Sequence, residues 1–174
     1  MPPIRQPITV AIRALFVAIF VVTFPASAAD GPVDLEWDDL IPDDILKQFD
    51  DLASGMGVRE HGDMSPYEDP VLLNTVTDEY NGKTVRLPGF IVPIEYTGVG
   101  VTSLLLVPYV GACIHVPPPP PNQLVYVTTD KPYEFNGLFE AVWVTGTMST
   151  TPATTEIAEA GYTISEGKLE AYEW

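Results

Sequence analysis

One cysteine and one of the chain's two histidines stand two residues apart in GACIHVPPPPPNQ, Gly111 to Gln123, with five consecutive prolines directly after them. If Cys113, Ile114 and His115 are extended, Cys113 and His115 point to one side and Ile114 to the other. A thiolate and an imidazole on one side form a pair that binds a soft or borderline cation such as zinc or copper. Two ligands do not fill a coordination sphere. His61, a carboxylate, Met64, Met148, a second protomer or water would complete it, and no spacing in the chain selects among them. A second chemistry is nucleophilic, with His115 lowering the pKa of Cys113. The plain alternative is a small packed cysteine and a histidine that caps a loop carbonyl or stacks on a proline.

Charge separates the two chemistries. The apolar leader holds two of the eight basic residues and no acids, which leaves six basic residues against 24 acidic ones, a formal charge of −18. In such a field a thiolate does not form without a local cation, whereas a bound divalent metal supplies that cation itself. Metal binding therefore ranks above thiol catalysis, and enzyme activity is not expected. The same field repels phosphate backbones, so nucleic acid is excluded as a partner, and it attracts cations and basic protein patches. His61 lies in REHGD between Glu60 and Asp63 and reads first as a solvated linker histidine. The acid pairs Asp38/Asp39, Asp43/Asp44 and Asp50/Asp51 read as solvated charges. No glycine-rich phosphate loop, GxSxG elbow or HExxH sequence is present.

The segment carrying the pair must be positioned by something stiff. Pro117, Pro118, Pro119, Pro120 and Pro121 remove five backbone donors and hold the chain near polyproline II geometry, which predicts an ordered surface connection between strands. Such a run loses little entropy on ordering. It is thus also a ready docking surface, with Asn122 and Gln123 at its end, in a non-enzymatic interaction module.

Upstream, Arg5 and Arg13 precede an apolar run from Ala14 to Phe24, and the small residues Ala26, Ser27, Ala28 and Ala29 follow it. This pattern predicts a secretory signal peptide over residues 1–29, cleaved after Ala28 or Ala29, and a periplasmic or secreted product. A run of eleven residues falls short of the roughly 20 needed to span a bilayer, so no membrane insertion is expected after cleavage. With a single cysteine no internal disulfide can form.

Residues 30–70 read as a helix and a connection, and residues 71–174 as a β domain. Ile45, Leu46, Phe49 and Leu52 share one helical face, with Pro42 at its start, Asp43 and Asp44 at its positive end and Gly55 as its stop. Trp37, Leu40 and Ile41 are expected to pin this element to the domain. KTVRLPGFIVPIEY alternates at first and becomes apolar on both faces after Pro88 and Gly89, which predicts a long strand bent or bulged at the glycine. VTSLLLVPY, NQLVYVTT, LFEAVWVTGTMST and GYTISEGKLEAYEW supply four more, the last with a turn near Gly167. Five such strands predict a mainly β fold, a small five-stranded barrel of the oligonucleotide/oligosaccharide-binding type preceded by an N-terminal α-helix. A generic antiparallel sandwich is the competing architecture.

LPGFIVPIE, LLVPYVGACIHVPPPPPNQLVYV and VWVTGTM, in that order and spacing, resemble the bacterial exported family known as domain of unknown function 3299, over roughly Trp37 to Tyr172. The resemblance implies an exported barrel domain without an established activity. It makes Cys113, His115, the proline run, Asn122 and Gln123 signature positions, and implies an association with transition-metal transport. On this reading the protein is a metal-binding carrier or sensor partnered with a membrane transporter or another exported protein.

Overall fold

Alternation of apolar and polar residues, broken where both faces are covered, builds the sheet. The structure, a computed structural model, describes residues 31–53, 69–113 and 118–173. The leader, with the signal-peptide reading, lies outside the described residues, as does most of the 55–70 connection. The elements in order are β1 (Val33–Asp34), a 3-10 turn (Trp37–Leu40), α1 (Asp43–Ala53), α2 (Pro70–Asn74), β2 (Thr84–Tyr96) and β3 (Val101–Val107). A second 3-10 turn (Pro121–Gln123), β4 (Val125–Tyr133), β5 (Ala141–Ser149), β6 (Ala153–Thr154), β7 (Glu159–Ala160) and β8 (Tyr162–Ala171) follow.

β2 pairs antiparallel with β3, β3 antiparallel with β4, β4 parallel with β8, β8 antiparallel with β5, and β5 antiparallel with β2. The ring is closed, and the order is that of the oligonucleotide/oligosaccharide-binding barrel. β2 makes closure possible by serving two partners: Thr84 to Phe90 face β5, and Phe90 to Tyr96 face β3. Gly89 sits directly before this overlap, where a Cβ would lie 2.7 Å from Leu106 Cγ, so only glycine lets the strands approach. The register shifts of β2 fall around Glu95, not at the glycine. Near Gly167 there is likewise no turn. β8 runs through with a register shift against β4 between Val127 and Thr129, and Glu166 takes a left-handed conformation beside it (φ 54°).

The closed sheet carries two apolar layers. Val85, Leu87, Ile91, Leu104, Leu106, Val125, Val127, Val142, Val144, Met148, Tyr162 and Ile164 fill the barrel. Each such side chain contributes about 1.5–3 kcal/mol on full burial. Val92, Leu105, Val107 and Leu124 form the second layer, on the outside of β2, β3 and β4, with Ala112 and Ala160 packed over them. Apolar residues on both faces of β2 after Gly89 thus have a cover on each side.

The N-terminal segment is part of the same core. β1 pairs parallel with β2 at Val33 to Val85, Leu35 N donates to Arg86 O (2.9 Å), and Leu35 and Leu40 are buried with the barrel residues. Trp37 Nε1 donates to Pro88 O at 2.8 Å. The Pro42 carbonyl opens α1 by accepting from Ile45 N and Leu46 N, and Ile45 is buried. α2 is too short for periodicity to mark it. It is set by Asp69, whose side chain accepts from Val71 N (2.9 Å), and by Pro70 in the first turn. Among the described residues no helix is long and apolar enough to cross a membrane.

Candidate functional site

Where β3 ends, the chain turns back over the outer apolar layer. Tyr109 and Val110 are exposed, Ala112 is fully buried, and Gly111 and Cys113 on either side of it have positive φ (90° and 67°). This pair of left-handed residues drives Ala112 into the layer and leaves Cys113 half-buried at its edge, against the same apolar residues. A left-handed non-glycine residue costs about 1–2 kcal/mol and persists only where its surroundings enforce it. Burial pushes the Cys113 thiol above its ordinary range, so the free thiol is neutral at neutral pH.

Cys113 therefore sits on the outside of the barrel, neither sealed within it nor freely solvated. His115 and Pro117 lie outside the described residues, and so does His61. Met64 does as well, whereas Met148 is fully buried in the barrel interior and leaves the set of possible ligands. The alternation of β5, which turns Val142, Val144 and Met148 inward together, is the reason. Among the described residues no group of three histidines, cysteines or carboxylates is placed to hold a metal ion.

Beyond the undescribed stretch the proline segment becomes a fastener. Pro118 is exposed and Pro119 is buried, while Pro120 and Pro121 are partly covered. Asn122 is 1% exposed, and its Nδ2 donates to Leu72 O (2.9 Å) and Thr75 O (3.3 Å), which holds the end of α2. Gln123 Nε2 donates to Trp37 O (2.9 Å) and so holds the N-terminal turn. Pro121 O accepts from Gly161 N at 2.7 Å, and a Cβ on Gly161 would lie 2.7 Å from that oxygen. Tyr162, next in line, donates its hydroxyl to Leu40 O and accepts from Thr77 N, both at 2.7 Å. Asn122 and Gln123 are thus turned toward the protein's own backbone. Their partners come from segments 47 to 86 residues away, and nothing in the local sequence marks them.

Two of the remaining concavities are sizeable. A groove of about 730 Å³ crosses the outer face of β4, β8 and β5 between Thr129, Thr145, Thr147 and Lys168. Another of about 530 Å³ lies between the outer face of β2 and β4 and the β6–β7 hairpin. Arg86 stacks on Trp143 (4.0 Å to the ring centre), and Trp143 stacks on Tyr172 (5.3 Å between rings). Asp34 and Glu170 lie 3.9 and 3.8 Å from the Arg86 guanidinium, so this cation is engaged on several sides.

The family model described as "Protein of unknown function (DUF3299)" matches residues 37–171. A crystal structure of a DUF3299 family protein from Pseudomonas aeruginosa PAO1 is 35% identical, with a TM-score of 0.63, over 83% of this chain and 99% of that one. No curated protein matches significantly. The match spans the N-terminal turn, the proline segment and all five barrel strands, and the chain belongs to the DUF3299 family.

Proposed function

We propose that this protein is an exported accessory domain that binds one transition-metal ion, zinc or copper, through Cys113 with His115 as its second ligand. In this role it serves a membrane transport system as carrier or sensor. One observation carries the reading. Cys113 stands half-exposed on the outside of the barrel, in a left-handed conformation at the edge of the outer apolar layer. Strain of this kind is retained at sites that present a side chain. The raised thiol pKa favours metal over nucleophilic chemistry, because little thiolate exists at neutral pH until a cation displaces the proton. Water or the transport partner fills the remaining coordination positions, which suits an ion that must be handed on.

The docking-loop alternative is not favoured. Asn122 and Gln123 spend their amide donors on Leu72, Thr75 and Trp37, and Pro119 is buried. The test is competition titration of the reduced protein, isolated from its own compartment, with zinc and with copper(I) against a chromophoric chelator. One equivalent should bind with release of a proton, and Cys113→Ser should lower the affinity at least about tenfold, a change of about 1.4 kcal/mol. Equal affinity of Cys113→Ser and the parent protein would defeat the assignment.

A further inference from the structure

The groove beside the β6–β7 hairpin has a composition that neither the fold nor the cysteine segment requires. It encloses about 530 Å³, within the range of small-ligand sites. Its floor is apolar, made by Ile94 and Tyr126 from the outer layer, and Ile157 forms an apolar rim that is 41% exposed. Two carboxylates, Glu95 and Glu156, line it together with the Thr154 hydroxyl. Neither carboxylate has an ion-pair or hydrogen-bond partner among the described residues. Glu140, by contrast, is occupied by Tyr133 and Asn136, and Glu170 by Arg86.

Both walls are rigid. Glu95 sits between two register shifts of the β2–β3 ladder, a device that re-aims a side chain at the rim of a barrel. On the other wall the Thr155 hydroxyl accepts from Ile157 N (3.2 Å) and Ala158 N (3.0 Å) and donates to Ala158 O (2.8 Å). Thr155 N also donates to Ala158 O (3.0 Å), so the hairpin tip holding Glu156 and Ile157 is locked before any ligand arrives. Barrels of this topology use this outer face and its flanking loops to hold oligonucleotides and oligosaccharides. A formal charge of −16 and two unpaired carboxylates reverse the electrostatic preference of the face.

We infer that this groove binds an organic cation with an apolar stem, an alkylguanidinium or alkylammonium. The stem lies on Ile94 and Ile157, the charged head stacks on the Tyr126 ring, and Glu95 and Glu156 accept its N–H groups. A neutral glycan would use the ring and hydroxyls but leave two carboxylates without a role. The inference does not rest on the metal reading, and Cys113→Ser leaves it unchanged.

The test is an amide chemical-shift titration of the ¹⁵N-labelled full protein with agmatine, spermidine, an arginine-containing tetrapeptide and, as the neutral probe, maltotriose. Agmatine should give saturable shifts at Glu95, Tyr126 and Glu156. The half-saturation concentration should rise about tenfold in the Glu95→Gln/Glu156→Gln double variant and rise with added salt. Both side chains are exposed, so the double variant should keep the parent denaturation midpoint. A peptide at least about tenfold tighter than agmatine identifies the source as a partner's arginine, and equal affinity identifies a free small cation. The inference is overturned if no cation saturates, if the double variant binds as the parent does, if the shifts map to Asp38–Asp51, or if maltotriose binds and the cations do not.

Discussion

Removing one oxygen atom from Tyr162 should loosen the N-terminal segment from the barrel. Its hydroxyl lies between Leu40 O and Thr77 N at 2.7 Å from each, and Tyr162 and Leu40 are both fully buried. Tyr162→Phe leaves the Leu40 carbonyl without its donor, at about 1–3 kcal/mol for a buried unsatisfied group, while the half-buried Thr77 N–H regains water at lower cost. The expected total is about 3 kcal/mol, equivalent to roughly 10 °C in Tm for a domain of this size. Chemical denaturation of parent and variant at pH 7 measures it, and hydrogen exchange over residues 35–41 shows where protection is lost. The pH dependence supplies a second check. Burial raises the Tyr162 phenol from 10.0 to about 12, partly offset by the Thr77 N–H, which favours the phenolate. The folded state therefore holds this proton more tightly than the unfolded state. Its contribution is complete below pH 10 and is lost as pH rises toward 12, by about 3 kcal/mol. The gap between parent and Tyr162→Phe should narrow across that interval. A variant within about 0.5 kcal/mol of the parent at pH 7, below the net worth of one hydrogen bond, would refute the reasoning.

The other expectations concern the cysteine and the fastener. Native Cys113 should react with iodoacetamide at pH 7.5 at least about tenfold more slowly than the urea-unfolded chain, and the ratio should fall as pH rises through the elevated thiol pKa; equal rates would remove the burial argument. Asn122→Ala should cost about 2 kcal/mol through the stranded Leu72 carbonyl, and Asn122→Asp should cost more at pH 7 and recover on acidification, because a carboxylate would face two carbonyl oxygens. Urea midpoints at pH 7 and pH 4.5 distinguish the two variants. Gly161→Ala should cost about 2–3 kcal/mol, since its Cβ would meet Pro121 O at 2.7 Å and Val76 Cγ1 at 2.8 Å; an unchanged melting temperature would show that the fastener gives freely.

The strands were legible because their signals are local. Alternation in Thr84–Leu87, the two-sided apolar runs of β2 and β3, and Pro42 before Ile45, Leu46 and Phe49 each point to the element that forms. α2 was not legible, since five residues carry no period and its N-cap Asp69 follows an acidic, proline-containing stretch without pattern. The bend assigned to Gly89 is a change of partner strand, and the turn assigned to Gly167 is a register shift. Composition shows that glycine is needed at such points, but only the neighbouring strand shows why.

The sequence by itself determined a mainly β barrel domain, its strong negative charge and a stiff segment carrying the only cysteine, because periodicity, charge and proline geometry act within a few residues. Tertiary structure alone decided that Asn122 and Gln123 hold α2 and the N-terminal turn, that Met148 is inside and Cys113 outside, and that Glu95 and Glu156 share one groove. Those facts depend on barrel closure, which brings together residues tens of positions apart. No pattern within one segment records which distant carbonyl or carboxylate will lie opposite.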